Sequence, residues 1–493
     1  MKNETTFTWA AGVALLLFAA LFFCNDLGKF PILQWDEARY VNNSVEILRN
    51  GHWLDFRMDG QIDTWNFKPP LVLWLQVLSM KIWGATEWGV RFPTVLAGIG
   101  IVMLLFGFSV KVLQSPRIGL ITGLFFLASS GFIGPHMGRT ADLDAVQTFF
   151  TTLYSLLFIR YLLEGQHPRN TFALLGALLV IAFLCKGMPG LLLLPYLFII
   201  SLLHGNYKKV LLTKYLYLFG VVALLLCAGY YLLRDLNHPG YWEMVKKSEF
   251  NRFSGKGVEW HIQPASFYVD NFVASKRYFP LIYLLPLTLS AFFFLGAERL
   301  RKVFIYLWVI VAGYLIFISI PPVKLEWYDA PLYPFFALLF GIAVSEGASK
   351  LAGQFKIPAA ATSLALVITL ACCYLPYRHI WQKVQYAPEK MSDFEWEGVF
   401  IRQLQEAHPD WLDYVILKQV KHPEHLDQVK FYQKTFEYRF HAPITVENDP
   451  QQIRPGRRVL VSQPALSDSI RSRFPAAVVQ FETAFGKLWE IRE

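Results

Sequence analysis

Eleven apolar stretches, most of them close to the ~20 residues a helix needs to cross a bilayer, constrain this chain more than any other feature. They lie near residues 8–25, 92–113, 117–135, 145–163, 171–185, 188–204, 215–233, 279–296, 303–320, 330–347 and 357–376. In hydrocarbon every backbone N–H and C=O must find its partner inside the protein, so such runs become helices. The expected fold class is an all-α polytopic membrane protein of about eleven transmembrane helices, with thirteen as the outer count. Composition agrees, since 54% of the residues are hydrophobic and 17% charged, too little polar surface for a soluble chain of this length. The first run, Trp9 to Phe23, is followed by bulky residues where a signal peptide would carry small ones, so it reads as an uncleaved first helix.

The net charge of +9 suggests nucleic acid, but the basic residues are dispersed between the apolar runs. With the N-terminus inside, the short inner loops hold Lys111 and Arg117, Arg160 and Arg169, Lys208 with Lys209 and Lys214, Arg299 with Arg301 and Lys302, and Lys350 with Lys356. Every one is basic, as cytoplasmic loops are. No nucleic-acid partner is expected. The five cysteines sit in or beside apolar runs and show no metal or disulfide spacing.

Three long stretches then fall outside: residues 26–91, residues 234–278, and everything after about 377. The domain division is 1–376 for the membrane part and 377–493 for a small extracytoplasmic α/β domain. Within the first stretch, Pro70 to Trp83 is apolar but short, and reads as a helix lying on the outer membrane face. In the last, Ser392 with Glu395 forms a capping box, and β-like runs follow at Tyr414–Leu417, Arg458–Val461 and Val478–Phe481.

The groups able to do chemistry gather on these outer segments. Asp36, Arg39 and Tyr40 share a helical face while Glu37 points elsewhere; Asp36 beside a cation suits a general base, or simply a solvated helix start. Lys68 stands before Pro69 and Pro70, either snorkelling or gripping a lipid phosphate. Arg139 precedes Asp142-Leu143-Asp144, a D-x-D spacing that in other enzymes holds a divalent cation. Acids at a helix mouth are costly, which favours function. Lys186 stands at a Gly-Pro break, and Arg252, His261, Lys324 and Tyr328 complete the outer set.

Taken in order, these residues resemble the GT-C superfamily of glycosyltransferases, nearest to protein O-mannosyltransferases and the bacterial aminoarabinose transferases of lipid A. The resemblance runs over about residues 30 to 340. It implies an active site at the outer leaflet, a sugar donor on a polyprenyl phosphate, and inversion at the anomeric carbon. It implies that Asp36 is the base for a hydroxyl acceptor, or positions an acceptor phosphate, with Glu37, Asp142 and Asp144 as further catalytic acids. Lys68, Arg252 and Lys324 would neutralise the donor phosphate, joined by Arg139, Lys186, His261 and Tyr328, and Arg39 and Tyr40 would orient the acceptor. Many relatives have Glu before the Lys-Pro where this chain has Phe67, so a divalent cation stays open, with Glu37 or His261 to contribute. The acceptor implied is lipid A, a protein or a polysaccharide, at the periplasmic face of a bacterial inner membrane. The rival readings are a flippase or polymer ligase handling the same lipid, and a secondary transporter, which would place charges at mid-membrane in related halves.

Overall fold

The structure is a computed structural model that describes residues 2–205, 207–255, 261–274, 281–420, 422–442 and 444–492, apart from the side chains of residues 2–4, 252, 274, 358 and 423. Helix dominates. Among the described residues, eight helices are long and apolar enough to cross a membrane: Thr5–Cys24, Glu87–Lys111, Asp144–Glu164, Pro168–Lys186, Lys214–Asn237, Glu298–Ser319, Glu326–Gln354 and Ala361–Val384. The other three expected spans are helical but shorter, at Pro116–Leu127, Met188–Leu203 and Leu281–Ala291. The first ends because the chain turns at Ala128 and Ser129. The second opens with a 3₁₀ turn, Met188–Leu191, which contains Pro189. The last of these helices continues to Val384.

The buried helix Tyr333–Gln354 packs along Pro116–Leu127. The approach is close at Gly341, where an added Cβ would lie 2.0 Å from Thr122 Oγ1, the small-residue contact that membrane helices use to bring backbones together. Contacts sort the two ends of the bundle as the charges do. Arg117 bonds Ser345 at 2.7 Å and Arg299 bonds Glu164 at 3.0 Å at one end. Asp144, Lys186, Lys68 and Glu249 meet at the other.

The first outer stretch forms the helix Asp36–Asn50, a two-stranded hairpin of β1 (Arg57–Met58) and β2 (Gln61–Ile62), and the helix Leu71–Trp83. That last helix was expected on the membrane face. It does expose Leu78, Ile82 and Trp83, but its other side is buried, with Gln76 bonded to Ala141 O and Ser44 Oγ.

The C-terminal domain is a five-stranded sheet ordered β4-β3-β5-β7-β6, from β3 (Val415–Leu417), β4 (Thr445–Glu447), β5 (Arg458–Val461), β6 (Val478–Thr483) and β7 (Gly486–Glu490). β3 is parallel to both β4 and β5, whereas β7 is antiparallel to β5 and β6. The two unforeseen strands have little hydrophobic alternation, and their neighbours define them. Ser392 does not cap a helix; its hydroxyl bonds the Glu395 carboxylate, and a 3₁₀ turn intervenes before the helix starts at Trp396. The domain is docked firmly on the first outer helix. Gln428 Nε2 donates to Ile32 O at 2.6 Å, Asn42 Nδ2 to Asp427 O at 2.7 Å, and Lys434 pairs with Glu46 at 2.9 Å.

Candidate active site

Two adjacent acids, Asp36 and Glu37, start the first outer helix and go opposite ways. Glu37 is 1% exposed and bonds Arg91 through both oxygens, at 2.7 and 2.8 Å. It also accepts from Leu33 N and Ala141 N, both at 2.8 Å. Arg91 in turn holds the carbonyls of Leu27, Phe30 and Pro31. Every lone-pair direction of Glu37 serves the fold, which corrects its assignment as a catalytic acid.

Asp36 faces a polar pocket in which its Oδ2 lies 4.0 Å from His136 Nδ1, and the same nitrogen lies 3.4 Å from Asp142 Oδ1. Thr140 Oγ1 donates to the other Asp142 oxygen at 2.6 Å. The His136 ring stacks on Trp327 with centroids 3.8 Å apart. Burial opposes a charge on His136, but the carboxylates of Asp142, Asp36 and Asp144 outweigh it and push its pKa up to about 9. Burial raises the Asp36 pKa and the Asp142 charge raises it further, while His136 partly compensates. Asp142 stays below the usual carboxylate range, because the His136 cation and the hydrogen bonds from His136 and Thr140 overcome its burial. His136 was missing from the sequence-derived set. It is the histidine of the same outer segment as Asp142, just after Gly134-Pro135, and that was its one sequence signal.

Facing ligand atoms of Asp36, His136 and Asp142 all lie within 4.8 Å of one another, so this trio has the donor set for a divalent cation. A metal there would have to displace the His136 proton. His261, expected to help hold a cation, is exposed and offers its carbonyl to Lys324 N at 3.0 Å.

Beyond Trp327 opens a cavity of about 410 Å³. Lys68, Asp144, Lys186, Glu249, Trp327 and Tyr328 line its polar end, and Phe250, Phe253, Phe317 and Ile318 its apolar part. Lys186 is delivered by the end of the helix Pro168–Lys186, where Gly187 takes a φ of +85° that an L side chain rarely adopts. Lys186 pairs with Asp144, and Lys68 with Glu249. Both lysines are thus matched by acids, and an incoming anion would compete with those acids for them.

Four further residues expected at the site make their contacts elsewhere. Arg139 spends its guanidinium on the carbonyls of Phe22, Phe23 and Asn25, because a helix end leaves carbonyls without partners. Lys324 is 2% exposed and donates to Gln263 O and Pro321 O, which holds the turn before Tyr328. Arg39 pairs with Asp63 at 2.8 Å and Asp427 at 3.2 Å, anchoring the C-terminal domain. Tyr40 is buried against Trp65, with ring centroids 5.5 Å apart. Arg252 lies on the short helix Asn251–Ser254 beside the cavity, but its side chain is outside the described residues.

A pH dependence follows from the pocket. If Asp36 must be ionised, activity is lost as pH falls through its raised pKa. His136→Gln removes the cation that lowers that pKa, so the acid limb of kcat/KM is expected to move to higher pH. An unmoved limb would detach Asp36 from His136.

Residues 67–231 match the family model described as dolichyl-phosphate-mannose-protein mannosyltransferase. The undecaprenyl phosphate-alpha-4-amino-4-deoxy-L-arabinose arabinosyl transferase of Pseudomonas aeruginosa (strain UCBPP-PA14) is 30% identical over 68% of this chain and 59% of that protein. Its namesake from Pseudomonas savastanoi pv. phaseolicola is 27% identical over 68% of this chain. The match spans about three fifths of these relatives' length, 61% for the latter. In fold the agreement is wider. The crystal structure of ArnT from Cupriavidus metallidurans bound to undecaprenyl phosphate superposes with a TM-score of 0.65 at 15% identity, covering 99% of this chain and 98% of that one. The Archaeoglobus fulgidus oligosaccharyltransferase superposes with a TM-score of 0.53 at 12% identity, over 90% of this chain and 65% of that one.

Proposed function

We propose that the chain is a glycosyltransferase of the GT-C superfamily, whose fold it shares with the ArnT crystal structure, and that it transfers a sugar from a polyprenyl-phosphate donor to an acceptor at the outer membrane face. One observation carries this: Asp36 and the His136–Asp142 pair stand beside a largely apolar cavity whose polar end holds Lys68 and Lys186. The prenyl tail would lie along Phe250, Phe253 and Phe317, so a single phosphate and a single sugar need capture. Lys68 and Lys186 would exchange their acid partners for the donor phosphate, which is also the leaving group. The acceptor oxygen would attack the anomeric carbon opposite the phosphate. The bond from that carbon to the phosphate oxygen breaks as the new glycosidic bond forms, which inverts the centre. Asp36 would take the hydroxyl proton, or orient an acceptor that is itself a phosphate and has no proton to give. Asp142 would hold His136, and His136 would keep Asp36 oriented.

The relatives' names put a 4-amino-pentose first among donors to try; the acceptors to try with it are lipid A, protein hydroxyls and polysaccharide. A divalent cation at Asp36, His136 and Asp142 remains part of the proposal; its binding would tighten as pH rises and His136 loses its proton. The basic inner loops favour a cytoplasmic N-terminus and a periplasmic site, which outside labelling of a cysteine at 255 but not at 208 tests.

The deciding experiment supplies membranes with radiolabelled polyprenyl-phosphate sugar and follows the label. Wild type is expected to move it into an acceptor, and Lys68→Ala to raise the apparent KM for the donor roughly 10- to 100-fold, the worth of one charged hydrogen bond. Label that crosses the bilayer still attached to its lipid would make the protein a flippase.

A further inference from the structure

The C-terminal sheet carries a second cavity, of about 360 Å³, within the ~300–1,000 Å³ usual for small-ligand sites. It lies past the carboxyl ends of β3 and β5, which are parallel neighbours. The chain leaving β3 crosses to β4 on one side, and the chain leaving β5 goes to β6 and β7 on the other. Where two parallel strands send their connections apart a crevice opens, and open α/β sheets bind ligands there.

The lining is mixed in a particular way. Lys418 and Gln419 come from the end of β3, Ser462 from the end of β5, and Glu397 from the helix Trp396–Ala407. Buried Glu397 accepts from Lys418 Nζ at 2.9 Å and from Ser462 Oγ. Its carboxylate and the Lys418 ammonium both keep hydrogen-bonding capacity beyond these bonds. Phe394 and Trp396 add aromatic surface, and Phe394 is 41% exposed. Donors and acceptors side by side, next to flat aromatic rings, match a sugar ring, which has hydroxyls on its edge and C–H groups on its face. The Glu397 carboxylate disfavours an anion, and the charged pair disfavours a lipid tail.

Trp35 links the cavity wall to the segment that carries Asp36. Trp35, with a φ of 77°, lies with its ring 4.9 Å from that of His425 and 6.0 Å from that of Phe394, both on the cavity wall. Its next residue is Asp36. We infer that this cavity is a saccharide subsite, which holds a sugar ring of the acceptor while another part of the acceptor reaches Asp36. The assignment to the acceptor rests on the transferase reading, but sugar binding itself does not.

The test uses the full chain in detergent, with maltose, lactose and chitobiose as probes, read by saturation-transfer NMR. At least one is expected to show saturation by wild type, with affinity about tenfold weaker in Gln419→Ala and in Phe394→Ala, the scale of one hydrogen bond or ring contact. Both side chains are exposed, so folding is not at stake. In the transfer assay the same variants should raise the KM for acceptor and leave the KM for lipid donor unchanged. No saturation of any probe, or equal saturation in wild type and variants, overturns the subsite. Saturation that is lost in the variants, together with no sugar transfer by wild type, leaves the subsite standing and removes the transferase reading.

Discussion

Asp36→Asn is expected to lower single-turnover sugar transfer by about 10²- to 10⁴-fold, the usual worth of a positioned general base. The variant should still bind the lipid donor, because Lys68 and Lys186 sit on other segments and pair with Glu249 and Asp144. It should also fold, because Asp36 makes no buried ion pair with Arg91; its neighbour does. The useful readout is therefore the split between transfer rate and donor affinity. A variant that transfers at the wild-type rate would remove Asp36 from the chemistry. One that loses donor binding to the same degree as rate would make it a binding residue.

Arg91→Met is expected to do the reverse, destabilising the protein by about 3–5 kcal/mol, the cost of leaving one member of a buried ion pair alone. Glu37 would remain buried without its cation, and the carbonyls of Leu27, Phe30 and Pro31 would lose their donors. Since Glu37 also holds Ala141 N, the segment carrying Asp142 would loosen as well. Thermal unfolding followed by tryptophan fluorescence would show a lowered transition for Arg91→Met and an unshifted one for Asp36→Asn. A stable Arg91→Met protein would mean that the Glu37 brace is dispensable. The pair of variants separates two adjacent acids, one proposed to act in transfer and one that holds the fold.

Ion pairs also hold the C-terminal domain against the helix that carries Asp36. Arg39 reaches both Asp63 and Asp427, and Arg402 bonds Glu87 at 3.0 Å, at the start of a membrane-spanning helix. The soluble sheet is thereby clamped to both ends of the first outer stretch. A domain held so firmly can contribute a fixed subsite, which a loosely tethered one could not.

Much of this was legible in the sequence because hydrophobicity and charge act locally. An apolar run long enough to cross a bilayer must be helical whatever surrounds it, so all eleven runs carry helix. The basic loops and the one-sided acids likewise follow from composition within a few residues. Asp36, Lys68, Asp142, Asp144, Lys186 and Tyr328 stand out as candidates because ionisable groups at a helix mouth are costly. Helical spacing even separated Asp36 from Glu37 by direction. Spacing could not say what each direction holds. Glu37 meets Arg91, Arg139 meets the end of the first helix, and Lys324 meets its own turn, each through atoms whose neighbours come from distant segments. His136 became part of the site only when the Asp142 segment folded against both the Asp36 helix and Trp327. The sequence by itself thus determined which segments lie in the membrane and which residues are costly enough to need a reason. Only the tertiary structure decided which of those charges are consumed by the fold and which face open space, because a charge is neutralised by whatever lies within a few ångströms of it, and that distance is set by packing.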